Sequence, residues 1–211
     1  MDARAIFERA LALAGATVFD FQEAAPRDAK DGPRDPCFRA DGARVVEVMR
    51  ALRDDAGLRF DFLQNLTAVD WLKRDVIEVV YHLFSYAHRH SACIKVELPR
   101  AAPRVPSVAA VWPTANWLER EQYDLLGVVF EGHPDLRRLL MPDDWVGHPM
   151  RKDFHEPKSY RGMPTSRPSS MDLLAAYDRA HVAKAEVATK PGGGAPAAAA
   201  ARPPAPSEDA S

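Results

Sequence analysis

The spacing of hydrophobic positions changes several times along the chain, and each change predicts an element. Ile6, Phe7, Ala10, Leu11 and Ala14 recur at helical spacing, so the N-terminus reads as a short amphipathic helix. Ala16 to Phe21 alternates and holds β formers, which predicts a strand. Residues 24–36 are a polar loop of Pro, Asp and Gly, followed by a short extended piece at Cys37-Phe38-Arg39. Asp41 is placed to cap a helix from about Gly42 to Ala56, with Val45, Val46, Val48, Met49 and Leu52 as its apolar face and Gly57 as its stop. Three strand-like runs follow: Leu58–Trp71, Asp75–Tyr86 and Ala92–Leu98. Their connections are short, which predicts antiparallel neighbours. The strict alternation of the last run predicts a half-solvated strand. A three-proline connector over 99–106 leads to a short helix at Ser107–Trp112. Thr114 is then placed to cap a helix beginning at Ala115, whose stripe is Ala115, Leu118, Leu125 and Leu126. Gly127 is placed to end it in a left-handed conformation, and Val128–Phe130 reads as a short strand. The fold class is therefore α+β, a mostly antiparallel sheet flanked by helices.

Beyond Pro142 the pattern fades. Residues 142–168 hold five prolines and little periodicity, while Trp145, Met150, Phe154, Tyr160 and Met163 are strung along them. The organisation read from this is a domain over 1–141, an extended Pro-rich strap with a short helix (Met171 to Glu186) over 142–190, and a low-complexity tail over 191–211 expected to be disordered. The strap is expected to need a partner to become ordered.

Composition narrows the field without overturning this. The 211 residues are 46% hydrophobic and 27% charged, an ordinary globular balance. A net charge of −2 gives no basic excess for nucleic acid. No apolar run approaches the roughly 20 residues of a membrane span. The N-terminus carries acidic residues and no apolar core, so no signal peptide is expected. The two cysteines, Cys37 and Cys93, argue for a reducing cytoplasm and against a disulfide framework.

The densest chemistry lies between Trp117 and Phe154. Glu119, Arg120, Glu121, Asp124, Glu131, His133, Asp135, Arg137 and Arg138 are interleaved with Trp117, Leu118, Tyr123, Leu125, Leu126, Val128, Val129 and Phe130. Burying that much apolar surface draws charges inward, and a buried charge must be paired or hydrogen-bonded. Ion pairs are expected inside this stretch or across an interface, with Arg120 and Asp124 one helical turn apart. An exposed pair of that kind contributes only about 0.2–0.5 kcal/mol, so stability alone is a weak account of these residues.

This block resembles one family. Glu119-Arg120-Glu121, Asp124-Leu125-Leu126, Gly127, Gly132-His133-Pro134, Leu136-Arg137-Arg138-Leu139-Leu140 and Pro149-Met150-Arg151-Lys152-Asp153-Phe154 are similar to the signature of the thirty-kilodalton subunit, the C component, of the proton-translocating NADH:quinone oxidoreductase, respiratory complex I. Met150 departs mildly, since the family commonly has Leu there. The resemblance implies a cofactor-free structural subunit of the peripheral arm, on the cytoplasmic face of the cell inner membrane. It implies docking on the D component, which helps form the quinone site, and on neighbouring iron–sulfur subunits, with FMN and the clusters held by partners. The residues it marks as signature or interface are Glu119, Arg120, Glu121, Asp124, Gly127, His133, Pro134, Arg137, Arg151, Lys152 and Asp153. The equivalent subunit of a membrane-bound hydrogenase or related quinone-type dehydrogenase would carry the same block.

Other chemistries find little support. His82, His88, His90 and Cys93 lie close in sequence and suggest a metal-dependent enzyme, but His88 and His90 fall in an expected hairpin turn where polar residues are normal. An iron–sulfur cluster takes about four cysteines, and this chain has two. No GxGxxG follows a strand, and neither a P-loop nor a GxSxG elbow occurs. His133, between Gly132 and Pro134, is the most tempting acid–base residue; the plainer reading is that it buttresses a tight turn.

Overall fold

The computed structural model describes residues 1–24, 35–165, 169, 171, 174–175 and 177–179. Two compact units divide it, Met1–Glu156 and the segment from Pro157 onward.

In the first unit, α1 (Ala3–Ala14) starts where the Asp2 carboxylate accepts the Ala5 N–H, and it buries Ile6 and Ala10. Strands β1 (Val18–Gln22) and β2 (Cys37–Ala40) pair antiparallel. A single turn capped by Asp41 leads into α2 (Val45–Asp54), which buries Val45, Val48, Met49 and Leu52. Its stop differs from expectation. Asp55 ends the helix, and its carboxylate accepts the N–H groups of Gly57 and Leu58 and a forked contact from Arg9 of α1. One carboxylate thus turns the chain and ties the two helices together.

The run expected from Leu58 becomes a strand only at Phe62, because Leu58–Asp61 is held in a turn with Arg59 at positive φ. Strands β3 (Phe62–Trp71), β4 (Val76–Ser85) and β5 (His90–Pro99) then form an antiparallel meander. The sheet order is β1-β2-β5-β4-β3, and the β2–β5 pair is parallel, so the sheet is mixed with one parallel joint. Leu63, Leu66, Ile77, Val79, Tyr81, Leu83, Ile94, Val96 and Leu98 belong to a core shared between the sheet and the helices. Cys37, Val80 and Cys93 form a separate small cluster.

Residues Ser107–Trp112, expected as a helix, form a turn instead. Pro106 and Pro113 bracket them, and the Ser107 hydroxyl and Val108 N–H are both held by Glu119. Helix α3 (Ala115–Leu126) lies against β3, tied to it by Gln122, whose amide oxygen accepts the Ala68 N–H. The helix begins at the expected residue, but Thr114 is helical and makes no side-chain cap. Gly127 ends it in the left-handed region (φ 75°), and a Cβ there would lie 2.5 Å from the His148 ring. Between β5 and α3 lies β6 (Arg104–Pro106), and after α3 comes β7 (Val129–Glu131); the two pair in parallel.

Proline content puts a boundary at residue 141, yet the first unit runs to Glu156. Hydrogen bonds from 148–152 to α3 and Asp70, described below, hold that segment to the domain. The second unit contains a small hairpin, β8 (Ser159–Tyr160) with β9 (Met163–Pro164). Most of the loop 24–36, much of the helix expected over 171–186, and the whole tail 191–211 lie outside the described residues. Among the described residues, no helix is long and apolar enough to cross a membrane.

Candidate functional site

Helix α3 carries three charged residues almost out of reach of water. Glu119 and Asp124 are 0% exposed and Arg120 is 6% exposed. Each has its own internal partners, and they are not each other.

Asp124 faces a tight nest. One carboxylate oxygen accepts the N–H groups of Leu139 (3.1 Å), Leu140 (2.6 Å) and Met141 (2.8 Å), and the other accepts from Arg138 at 2.8 Å. Burial alone would raise this carboxyl's pKa, but those four donors outweigh it and hold it below the usual carboxylate range. Arg138 completes the clamp by donating to the carbonyls of Trp145 (3.0 Å) and Gly147 (3.3 Å).

The pairing expected between Arg120 and Asp124 does not form. Arg120 donates instead to the carbonyls of Arg137 (3.2 Å) and Arg138 (3.3 Å), and its guanidinium lies 4.9 Å from the centre of the exposed Trp117 ring. Helical spacing predicts a neighbour on the same helix. The planar fork reaches instead across to a returning backbone that sequence spacing cannot reveal.

Glu119 is the contrasting case. It accepts the Ser107 hydroxyl (2.6 Å) and the Val108 N–H (2.8 Å), two neutral donors and no guanidinium. Burial therefore wins, and its pKa is pushed up to about 7. His133 sits beside it with a fully buried side chain, its Nε2 3.9 Å from the Glu119 carboxylate. His133 Nε2 donates to the Asn116 carbonyl (3.1 Å) and Nδ1 accepts the Asp135 N–H (3.0 Å). Those two contacts orient the ring and make it a buttress of the 132–135 turn. Among the described residues the buried Tyr81 hydroxyl has no hydrogen-bond partner, and burial followed by the Glu119 charge raises its pKa.

The C-terminal end of α3 is closed by the returning chain. A helix leaves its last carbonyls without partners. Here His148 Nδ1 donates to the Asp124 carbonyl (3.0 Å), the Met150 N–H to Leu125 (3.0 Å) and Arg151 Nε to Leu126 (2.7 Å). The next residue reaches the sheet. The Lys152 N–H donates to Asp70 (2.8 Å), a buried carboxylate that also pairs with Arg100 at 2.7 Å, and Arg100 bridges on to Asp153.

The expected signature residues thus divide. Glu119, Arg120, Asp124, Gly127, His133 and Arg151 converge on one internal framework, and Lys152 and Asp153 anchor its far end. Glu121 is half-buried beside Gln122 (3.4 Å), while Pro134 is exposed and Arg137 pairs outwardly with Asp135 (2.9 Å). Asp70, Arg100 and His148 belong to the framework although nothing in the sequence singles them out. They lie outside or between the dense charge runs, and only the fold brings them in. The exposed apolar residues around this framework are Trp117, Leu140, Val146 and Met150. His88 and His90, the metal candidates, spend their Nε2 atoms on the carbonyls of Ala56 (2.9 Å) and Leu58 (2.8 Å). Among the described residues no group of three or more His, Cys, Asp or Glu side chains is arranged to hold a metal ion.

Fold and framework together define a class: a small α+β domain whose charged helix pins a long returning segment and is capped by it. The chain belongs to the family described as the respiratory-chain NADH dehydrogenase 30 Kd subunit, whose model matches residues 38–160. It is 49% identical over 150 residues to the C component of the NADH-quinone oxidoreductase of Roseiflexus castenholzii, covering 68% of this chain and 85% of that one. With the same component from Moorella thermoacetica it shares 46% identity over 127 residues, 60% of this chain and 84% of the relative. Among solved structures, a chain of the membrane-bound sulfane sulfur reductase, an archaeal respiratory membrane complex, superimposes with a TM-score of 0.59 at 25% identity, covering 79% of this chain and 96% of that one.

Proposed function

We propose that this chain is the thirty-kilodalton component of an NADH:quinone oxidoreductase, a cofactor-free structural subunit of the peripheral arm. The complex passes electrons from NADH through FMN and iron–sulfur clusters in other subunits to quinone, coupled to proton translocation. The chain docks on the D component beside the quinone site and on the neighbouring iron–sulfur subunits. It reaches the cytoplasmic side of the cell inner membrane only through them. One observation carries the reading: the buried charges of the signature are committed to internal donors and acceptors, so they shape a surface rather than a reaction centre. That surface offers Trp117, Leu140, Val146 and Met150 to a partner. Two cysteines are too few for a cluster, which supports placing electron carriers elsewhere.

A second reading follows from the sulfane sulfur reductase likeness, since the same fold serves another respiratory membrane complex. An affinity-tagged chain, purified with its partners from the native membrane and identified by mass spectrometry, separates them. NADH- and FMN-binding subunits together with the D component are the expected partners. A nickel-site large subunit, or partners lacking any NADH-binding protein, would move the chain to the related complexes. Recovery of the chain alone would overturn both.

A further inference from the structure

The two cysteines lie 56 positions apart in sequence, but the one parallel joint of the sheet brings them together. Cys37 on β2 and Cys93 on β5 are register partners, both free, and 1% and 6% exposed. With Val80 they form their own cluster, apart from the main core. Neighbouring strands lie about 4.8 Å apart, inside the roughly 4.4–6.8 Å Cα separation that a disulfide spans.

The two thiols titrate as a pair. Each sulfur is the other's near neighbour, so the first to ionise, helped by Lys95 two residues along from Cys93, gives up its proton more readily than an ordinary thiol and leaves the second holding its proton more firmly. The Cys37 thiol donates to the Gln22 amide oxygen on β1 at 3.8 Å, and His82 is the register partner of Cys93 on β4. Cys93 is the member of the pair that a small molecule can reach. Cys93 walls two open hollows of about 220 and 300 Å³, the first shared with Asp35, Gln64 and His82.

We propose that Cys37 and Cys93 are a thiol pair that a hydroperoxide oxidises to an intramolecular disulfide, reversibly. One sulfur of the pair, as its thiolate, attacks the terminal peroxide oxygen; the O–O bond breaks, and the alkoxide leaves with the proton that this cysteine gave up. The resulting sulfenic acid is attacked by the other sulfur. The S–O bond breaks, the S–S bond forms, and water leaves carrying the second cysteine's proton. Two thiols lose two electrons, and the peroxide becomes an alcohol and water. This chemistry is independent of the respiratory reading above.

The test uses the reduced full chain, titrated with hydrogen peroxide and followed by thiol counting, intact mass and peptide mapping. Both thiols should vanish together, with loss of two hydrogens and a Cys37–Cys93 linked peptide in a monomer, and a dithiol reductant should restore both. The circular dichroism of the two forms should superimpose. In Cys93→Ser and in Cys37→Ser no intramolecular bridge should form, and the remaining cysteine should stop at a sulfenic acid that dimedone traps. Stepwise loss of the thiols with oxygen adducts and no bridge, or bridges only between chains, would overturn the proposal.

Discussion

Glu119 and Asp124 are five positions apart on one helix, equally buried, and perturbed in opposite directions. The difference is the donor set: two neutral groups for Glu119, three N–H groups and a guanidinium for Asp124. That difference yields a pH prediction. In the folded chain Glu119 keeps its proton to about 7, against 4.5 for an ordinary glutamate. From about pH 4.5 to 7 the folded state therefore holds a proton that the unfolded state has released, so raising pH removes stability. Below that window there is no penalty, and above it the whole penalty applies, on the order of 3 kcal/mol. Urea midpoints measured from pH 5 to 8 should fall for the wild type and fall much less for Glu119→Gln. Parallel slopes in the two proteins would mean that Glu119 is ionised throughout. The sequence makes it legible that charges here must be buried and satisfied. It cannot tell which acid will meet a cation, because Arg138, Ser107 and Val108 come from chain before and after the helix.

Among the elements, α3 is the most legible. Its first residue, its glycine terminator and the short strand after it all follow from periodicity and turn chemistry. The failures cluster where a tertiary contact competes with local preference. Ser107–Trp112 is a turn because Glu119 takes its first donors, and α2 stops at Asp55 because that carboxylate turns the chain before Gly57. The segment after Pro142 departs from expectation for a related reason. Apolar periodicity is the signal a sequence offers, but this segment is held by hydrogen bonds to the end of α3. Hydrogen exchange on the isolated chain should therefore show protection at Leu139, Leu140, Met141, Met150 and Lys152, each of which donates to α3 or Asp70. Asp124→Ala should abolish protection at 139–141 and cost about 3–5 kcal/mol, because it strands Arg138 as a buried half-pair. Free exchange at those amides in the wild type would mean that the segment is ordered only by a partner.

For the whole molecule, the α+β class and the three-strand meander are written in the alternation of residues 58–98, and the family in the block from Glu119 to Phe154. The single parallel joint is not, because nothing local to β2 says which strand it will meet. The surface proposed to meet partners is where assembly can be tested apart from folding. Leu140→Glu combined with Val146→Glu alters two exposed side chains, at 62% and 84%, so the isolated chain should keep its stability to within about 0.5 kcal/mol. Membrane-attached complex and quinone-linked NADH oxidation should fall together, while NADH oxidation by an artificial acceptor suffers less. Normal assembly of the double variant would show that the interface lies elsewhere.

The parallel joint also sets the order in which the protein can be made. β1 and β2 leave the ribosome early, yet the strand that β2 must lie beside is not finished until Pro99 has been added. Synthesis adds roughly 5–20 residues per second, so the first hairpin waits seconds with one edge unpaired. The meander, whose strands are neighbours in sequence, can close as soon as it emerges. The N-terminal hairpin of this chain is thus the first part of the sheet to be synthesised and among the last to be secured, and it depends in that interval on whatever shields a nascent edge.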